Sequence, residues 1–185
     1  MNSMMEKREK ASKLHFLLFI FLFVFVILQM VAPLVHPKGS LTNLSGMTMV
    51  IDNDGLWDDL AQPWSTVYFT GDFLCHTKAS RSFILNQNQL PFCARCTAIW
   101  VGLVAGLGIM VVYQIKNQYL FLTAFLISIG FLGVDGVGQL LGFWESTNVL
   151  RALTGAFVGL FTGLAIGLVV DEFRNIEIKK KEKKN

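Results

Sequence analysis

The segment that decides the fold consists of residues 72–83 and residues 90–100, joined by a short polar bridge. The two parts read Asp-Phe-Leu-Cys-His-Thr-Lys-Ala-Ser-Arg-Ser-Phe and Leu-Pro-Phe-Cys-Ala-Arg-Cys-Thr-Ala-Ile-Trp. All three cysteines of the chain fall within them: Cys75, Cys93 and Cys96. His76 follows the first cysteine directly, so four side chains of metal-binding type stand close together. The segment therefore places reactive side chains where a polar region gives way to an apolar one.

The rest of the chain is unusually apolar. Of its 185 residues, 53% are hydrophobic and 16% are charged, and the mean hydropathy is +0.51. Such a composition, arranged in long apolar blocks, is rare in soluble domains of this length. We therefore predict an integral membrane protein embedded in the lipid bilayer. The basic residues cluster at the two ends, which indicates membrane topology rather than nucleic-acid binding, and we expect no nucleic-acid partner.

Four apolar blocks are long enough to cross a bilayer, because about 20 helical residues span its hydrocarbon core. We predict spans at residues 14–35, 93–114, 119–143 and 149–170. A cleaved signal peptide is the competing interpretation of the first block, since a basic start before an apolar run fits both. The run is longer than a typical signal core, which favours a span. The predicted fold class is an all-α membrane protein, a four-transmembrane-helix bundle forming a single membrane domain.

The positive charges predict the orientation of this bundle. Residues 1–13 and 171–185 are basic tails, and Lys116 lies in the turn between the second and third spans. The positive-inside rule then makes both termini cytoplasmic. The loop of residues 36–92, with an interfacial helix within residues 56–74, faces outward. We therefore expect a multi-pass protein of the cell membrane with its Cys/His cluster on the extracytoplasmic side.

The cysteines and the histidine have the composition of a metal site. Cys93 and Cys96 are three residues apart at the head of the second span, so a helix places both sulfurs on one face. The helix dipole and Arg95 favour the thiolate form. With Cys75 and His76 they make three thiolates and one imidazole, a normal tetrahedral zinc set. We predict zinc, although iron or cuprous copper also suits these ligands; if His76 points elsewhere, an open position suits catalysis or metal transfer.

Two other interpretations of the cysteines stay open. A Cys-x-x-Cys pair at the outer end of a membrane helix, with Cys75 as a shuttle thiol, is typical of thiol–disulfide oxidoreductases that pass electrons to quinone. A single structural disulfide with one thiol left over is the simpler alternative. The sequence alone therefore leaves metal binding, redox exchange and a structural role in competition, with metal binding favoured by the number of ligands.

Glycines recur every four residues in the second and fourth predicted spans. Small residues at this period let helices approach closely, and packing is a sufficient explanation. If those faces receive partner helices, the protein is a homo-oligomer or a scaffold subunit of a membrane complex. The glycines concerned are Gly102, Gly106, Gly155, Gly159, Gly163 and Gly167.

A few polar residues interrupt the third and fourth spans. Asp135 and Gln139 are four residues apart and share a helix face, while Arg151 opens the fourth span just after Asn148. Charged groups inside a membrane are costly and usually paired, so we expect an Asp135–Arg151 contact in a polar layer below the cysteines. The alternative role is a structural pair that locks the two spans together. The candidate catalytic residues are Asp135, Arg151 and Arg95, and Arg81 and Arg95 are expected to add positive charge around the metal.

These motifs resemble those of an uncharacterised prokaryotic membrane-protein family known as domain of unknown function 2085. The first block of the likeness is Cys75-His76, Arg81-Ser82-Phe83 and Pro91-x-Cys93-x-Arg95-Cys96. The second block is Asp135-Gly136-x-x-Gln139 and Ser146-Thr147-Asn148-x-x-Arg151-x-x-Thr154-Gly155. The resemblance covers about residues 68–167, and Ala98 stands where the pattern often has glycine. It implies a small multi-span membrane protein and supplies no activity.

Overall fold

The computed structural model describes residues 4–8, 13–53 and 55–182, so parts of both basic tails (1–3, 9–12 and 183–185) lie outside the described residues. Within these ranges the helices are α1 (Lys13–Val35), α2 (Trp64–Leu74), α3 (Ala94–Val112), α4 (Gln118–Leu140) and α5 (Asn148–Glu182). The strands are β1 (Met5–Lys7), β2 (Ser82–Leu85), β3 (Asn88–Cys93) and β4 (Tyr113–Ile115). The protein is therefore mostly helical, as predicted, but the strands correct the prediction that it is all-α.

Four helices are long and apolar enough to cross a membrane, in agreement with the four predicted spans. They cover Lys13–Val35, Ala94–Val112, Gln118–Leu140 and Asn148–Ile176. The largest difference from prediction lies at the last of them. The predicted span stops at residue 170, whereas α5 continues as a helix to Glu182. Glutamate and lysine in the tail are good helix formers, so the helix does not end where its apolar stretch ends.

Helices α3 and α5 pack backbone against backbone at the centre of the bundle. A side chain at Gly102 would overlap the carbonyl oxygen of Ala156, and a side chain at Gly159 would overlap that of Ile99. The same close approach occurs at Gly106, Gly155 and Gly163. The glycines thus do pack helices, as predicted, but they do so within one chain. These glycine faces are covered within the chain, and the homo-oligomer or scaffold interpretation stays a prediction.

One end of the bundle gathers the N-terminal segment, the α3–α4 turn and the later part of α5. Strand β1 pairs antiparallel with β4, Met5 lying opposite Ile115. Arg8 then donates to both carboxylate oxygens of Asp171, at 2.6 and 2.5 Å. At the opposite end the loop of residues 36–92 meets the start of α5. The connections are therefore grouped at the two ends as predicted, while the orientation of those ends in the cell stays a prediction.

A β-hairpin stands where the sequence suggested a polar bridge and a helix start. Strands β2 and β3 are antiparallel, and the two residues between them, Asn86 and Gln87, have φ angles of 52° and 60°. Positive φ at both central residues defines the tight turn that suits the twist of a hairpin. Pro91 lies inside β3 rather than at a helix start, and α3 begins at Ala94. The hairpin delivers Cys93 to the head of α3.

Buried amides in β3 hold the loop of residues 36–92 over the end of the bundle. Asn88 donates to the carbonyl oxygens of Pro33 and Pro37, each at 2.9 Å, and accepts from the Leu41 amide. The next residue, Gln89, accepts from the amide of Leu44 and donates to the carbonyl of Thr77. Each amide satisfies several buried backbone groups, which gives this loop a fixed course.

Helix α2 occupies part of the segment predicted to be interfacial and begins directly after Pro63. Its inner face packs on the hairpin: the hydroxyl of Tyr68 donates to the carbonyl of Gln89 at 2.9 Å, and burial raises the pKa of this phenol. Its outer face leaves Phe69 and Phe73 partly exposed. The helix ends at Leu74, so the residue that follows it, Cys75, is brought against the hairpin.

Candidate metal centre

Three elements bring the three cysteines together. Cys75 caps the C-terminal end of α2, Cys93 is the last residue of β3, and Cys96 lies in the first turn of α3. Their sulfur atoms all lie within 4.8 Å of one another, and each is a free thiol. Cys75 and Cys93 are buried, whereas Cys96 is half-buried. The predicted convergence of Cys75 with the Cys-x-x-Cys pair is therefore present in the structure.

Aromatic side chains close the cluster on one side. Phe92, which is 1% exposed, packs against Cys75 and Cys93. Phe25 of α1 and Trp100 of α3 complete the enclosure, with ring centroids 4.9 Å apart. Sequence reasoning missed these residues, although Trp100 stands one helical turn after Cys96 and so shares its face. The enclosure lowers the local dielectric and strengthens any electrostatic interaction with the sulfurs.

The pKa values of the thiols are shifted in opposite directions within the cluster. A hydrogen bond from the thiol of Cys75 lowers the pKa of Cys93, and the thiol of Cys96 and the backbone N–H groups that begin α3 act in the same direction. The same contact with Cys93 raises the pKa of Cys75. In addition, the backbone N–H of Cys93 donates to the sulfur of Cys75 at 3.3 Å. The negative charge of the cluster is thus concentrated at the start of a helix, where the helix dipole favours anions.

His76 lies outside the group of sulfurs. Its Nδ1 is 2.7 Å from the hydroxyl of Thr48, and the residue is exposed. Among the described residues, the group of potential metal ligands around the sulfurs contains only the three cysteines. Three sulfurs within 4.8 Å need to draw together by only about 1 Å to reach their spacing around a tetrahedral zinc with Zn–S bonds of about 2.3 Å. The donor set fits a soft or borderline divalent ion with one position left open.

The polar layer beside the cysteines is present but paired differently from the prediction. Asp135, which is 4% exposed, forms an ion pair with Arg95 rather than with Arg151. Arg151 instead donates to the side-chain oxygen of Asn148 at 2.9 Å and, with the Gln139 amide oriented to satisfy its neighbours, to the side-chain oxygen of Gln139 at 2.6 Å. The expected Asp135–Arg151 contact is therefore wrong.

The start of α5 is tied to the hairpin near this layer. Asn148 donates to the carbonyl oxygen of Ser82 at 3.3 Å, so the α4–α5 turn lies against β2. The charged groups that act on Arg151 are Arg81, Arg95, Asp135 and the sulfur of Cys93. The arginines, the carboxylate and the cysteines named from the sequence thus form one continuous cluster.

A second polar cluster at the opposite end of the bundle was not foreseen. His15, which is fully buried in α1, has its Nε2 2.9 Å from the carbonyl oxygen of Gly167 and 3.7 Å from Asp171. Asp171 is the carboxylate that binds Arg8. The sequence offered only an isolated histidine at the start of an apolar run, because its partners lie about 150 residues further along the chain.

Fold and site together define a multi-pass membrane protein with a cysteine triad at one end of its bundle. The model of the family described as predicted membrane protein (DUF2085) matches residues 75–167, which contain all three cysteines, the hairpin, α3, α4 and most of the apolar part of α5. The chain belongs to this family, and the resemblance noted from its motifs is confirmed.

The relatives found among curated proteins are themselves uncharacterised. A protein of Methanocaldococcus jannaschii is 31% identical over a match covering 50% of this chain and 61% of the relative. A protein of Methanothermobacter thermautotrophicus is 35% identical over 48% of this chain and 79% of the relative. No solved structure matches the chain. The comparisons therefore support membership of a membrane-protein family without assigning an activity.

Proposed function

We propose that this membrane protein binds one zinc ion through Cys75, Cys93 and Cys96 and uses its open fourth position for metal-dependent work at the extracytoplasmic surface. The observation that carries the proposal is the convergence of three free thiols from three separate elements within 4.8 Å. Outside the cytoplasm, unprotected thiols at this distance tend to oxidise, and a bound metal protects them. Zinc is favoured by the sulfur donors, and elemental analysis distinguishes it from ferrous iron and cuprous copper, which bind the same type of ligand.

The number of protein ligands distinguishes a catalytic metal site from a structural one. Structural zinc sites are usually closed by four protein ligands, whereas catalytic sites keep one position for water or substrate. His76, the predicted fourth ligand, interacts with Thr48, while Cys96 is half-buried and gives the cluster an edge reachable from outside. Arg95 and Asp135 lie beside that edge and can orient a bound molecule or move a proton. The metal would supply Lewis-acid activation of whatever occupies the fourth position.

Thiol–disulfide exchange is the second candidate, and a specific observation favours it. The pKa of Cys93 is lowered while that of Cys75 is raised, so a nucleophilic thiolate lies next to protonated thiols. In this function Cys93 and Cys96 form a disulfide and Cys75 exchanges with it, while the two electrons pass to a quinone in the bilayer. The cluster geometry is compatible with both candidates, since both need the sulfurs close together.

Elemental analysis with thiol counting tests the two candidates. Purified protein in detergent is expected to contain about one zinc per chain, with three titratable thiols after denaturation in chelator. Cys75→Ser, Cys93→Ser and Cys96→Ser are each expected to release the metal, while Ser82→Ala is the matched control outside the sulfur cluster. Protein without metal, with a single free thiol and a mixed disulfide trapped in Cys96→Ser, would instead establish redox exchange.

The proposed orientation rests on the distribution of charge between the two ends. The end formed by β1, the α3–α4 turn and late α5 carries Lys7, Arg8, Lys116 and Arg174. By the positive-inside rule this end faces the cytoplasm, and the cysteines face outward. A fluorescent protein fused after the last residue is expected to fluoresce, and alkaline phosphatase fused there is expected to be inactive. The reverse result would place the cysteine cluster in the cytoplasm.

A further inference from the structure

The arginines next to the cysteine cluster outnumber the acidic groups available to them. Ion pairs in the described part of the chain join Arg8 to Asp171, Arg95 to Asp135, and Lys116 to Glu6. Arg151 and Arg81 therefore have no carboxylate partner among the described residues. Since Asp135 is neutralised by Arg95, two positive charges are left on the same side of the bundle.

Burial makes this excess costly. Arg151 is only 6% exposed, and its partners Asn148 and Gln139 are neutral. Its Nε and that of Arg95 are buried and have no hydrogen-bond partner. A buried charge that is not compensated destabilises a protein, and the free-energy cost is greater at the edge of a membrane than in water. The arrangement is therefore incomplete without a negative charge.

The cysteines do not supply enough negative charge to complete it. Three thiolates around a divalent metal bring one negative charge, and thiols that keep their protons bring none. Cys93 lies within electrostatic reach of Arg151, so this charge offsets one guanidinium. At least one positive charge is left over in either state. This count of charges rests on the proposed zinc site, but the excess of positive charge is present whether or not the metal is bound.

We propose that Arg151 and Arg81 form a binding site for an oxyanion of the phosphate class beside the cysteine cluster. A guanidinium offers a rigid fork of N–H donors that matches the oxygen pairs of phosphate, and such charge-assisted hydrogen bonds are among the strongest in proteins. Arg81 is half-buried and precedes Ser82, whose carbonyl accepts from Asn148, and Asn148 in turn accepts from Arg151, so the hairpin brings the two arginines to the same side. The phosphate belongs either to a free ion or to the headgroup of a membrane lipid.

Binding measurements on the full-length protein distinguish these sources. Inorganic phosphate is titrated calorimetrically into protein in a neutral detergent at constant ionic strength. Phosphatidic acid and the zwitterionic control phosphatidylcholine are compared by native mass spectrometry. Saturable binding of inorganic phosphate supports a free oxyanion, and selective binding of phosphatidic acid without it supports a headgroup. Absence of saturable binding in both arms overturns the proposal.

Variants assign the binding to the two arginines. Arg81→Gln and Arg151→Gln are each expected to weaken the affinity about tenfold or more, which corresponds to one lost charge-assisted interaction. Arg174→Gln, at the opposite end of α5, is the matched control and is expected to bind as the wild type does. Equal affinity in Arg81→Gln and the wild type overturns the proposal, and this half-buried position decides the question if Arg151→Gln fails to fold.

The cysteine variants separate this proposal from the zinc site. Cys93→Ser is expected to lose zinc and to keep phosphate binding, because the excess of positive charge persists without the metal. Loss of phosphate binding in Cys93→Ser at unchanged folding would contradict an independent arginine site. Conversely, Arg81→Gln is expected to keep its zinc while its phosphate affinity falls.

Discussion

The two ends of the bundle bury charged clusters of similar size, but only one of them is balanced. At the end near the N-terminus, Arg8 meets both oxygens of Asp171, and His15 contacts the same carboxylate. At the cysteine end, Asp135 pairs with Arg95, while Arg81 and Arg151 have no carboxylate partner among the described residues. A matched ion pair is explained by its structural role of holding two segments together. An excess of positive charge beside reactive thiols is better explained by an anionic ligand that compensates it.

The largest effect is expected from separating α3 and α5, the helices that connect the two ends. Gly159→Leu is expected to prevent stable folding, with a loss of about 3 kcal/mol or more, because its side chain would overlap the backbone of Ile99. Gly130→Leu in α4 is the control, since a side chain there meets open space. Monodispersity on gel filtration and the melting temperature measure the effect. Equal stability of the two variants would mean that α3 and α5 are not packed as described.

Removing the metal is expected to destabilise the cysteine end strongly. A ligand present at 1,000 times its dissociation constant stabilises a protein by about 4 kcal/mol, so stripping zinc with a chelator should lower the melting temperature of the wild type. Cys93→Ser, which is expected to hold no zinc, should not respond to the chelator. A wild type that melts at the same temperature with and without chelator would speak against a bound metal at this end.

Breaking the balanced pair tests the structural role of the other end. Asp171→Asn leaves Arg8 buried without its carboxylate, and breaking a buried ion pair in this way costs about 3 kcal/mol. The double variant Arg8→Met with Asp171→Leu should recover much of the loss, because neither charge is then left alone. Zinc content is expected to stay unchanged in both variants. A loss of zinc in Asp171→Asn with intact folding would link the two ends and contradict their separate roles.

The smallest effect is expected at His76. Because its ring interacts with Thr48 and lies outside the sulfur group, His76→Ala should keep its zinc and change stability by no more than about 0.5 kcal/mol. Cys75→Ser, one residue earlier, should release the metal. Loss of zinc in His76→Ala to the same extent as in Cys75→Ser would restore the four-ligand set predicted from the sequence.

The spans were predictable from the sequence because hydropathy acts over about 20 residues and needs no knowledge of the fold. The convergence of Cys75 with Cys93 and Cys96 was also predicted, from the three metal-binding side chains gathered in one short segment, although Cys93 ends β3 and does not lie on the helix. The hairpin did not, because the turn has Asn86 but lacks the glycine that usually marks such turns. Without the hairpin, the proline in β3 suggested a helix start.

Pairing between distant residues was the other limit of sequence reasoning. The Asp135–Arg151 contact was predicted from the depth of the two residues in the bilayer. That criterion does not distinguish between residues of different helices that lie at the same depth. The structure distinguishes them by position along α4: Arg95 pairs with Asp135, whereas Arg151 meets Gln139 one turn further on, together with Asn148. Likewise, nothing local indicated that His15 would meet Asp171. Periodicity along one helix constrains which residues share a face, but not which helix that face meets.

X-ray absorption spectroscopy of the purified protein at the zinc edge tests the central claim most directly. The proposed site predicts three sulfur atoms at about 2.3 Å from the zinc and one oxygen or nitrogen atom at about 2.0–2.1 Å. In Cys96→Ser the sulfur count of any remaining zinc should fall, because one ligand of the triad is gone. The account would be contradicted if zinc in the wild-type protein were surrounded only by oxygen and nitrogen atoms. Purified protein with no zinc and a disulfide would also contradict a three-cysteine metal centre.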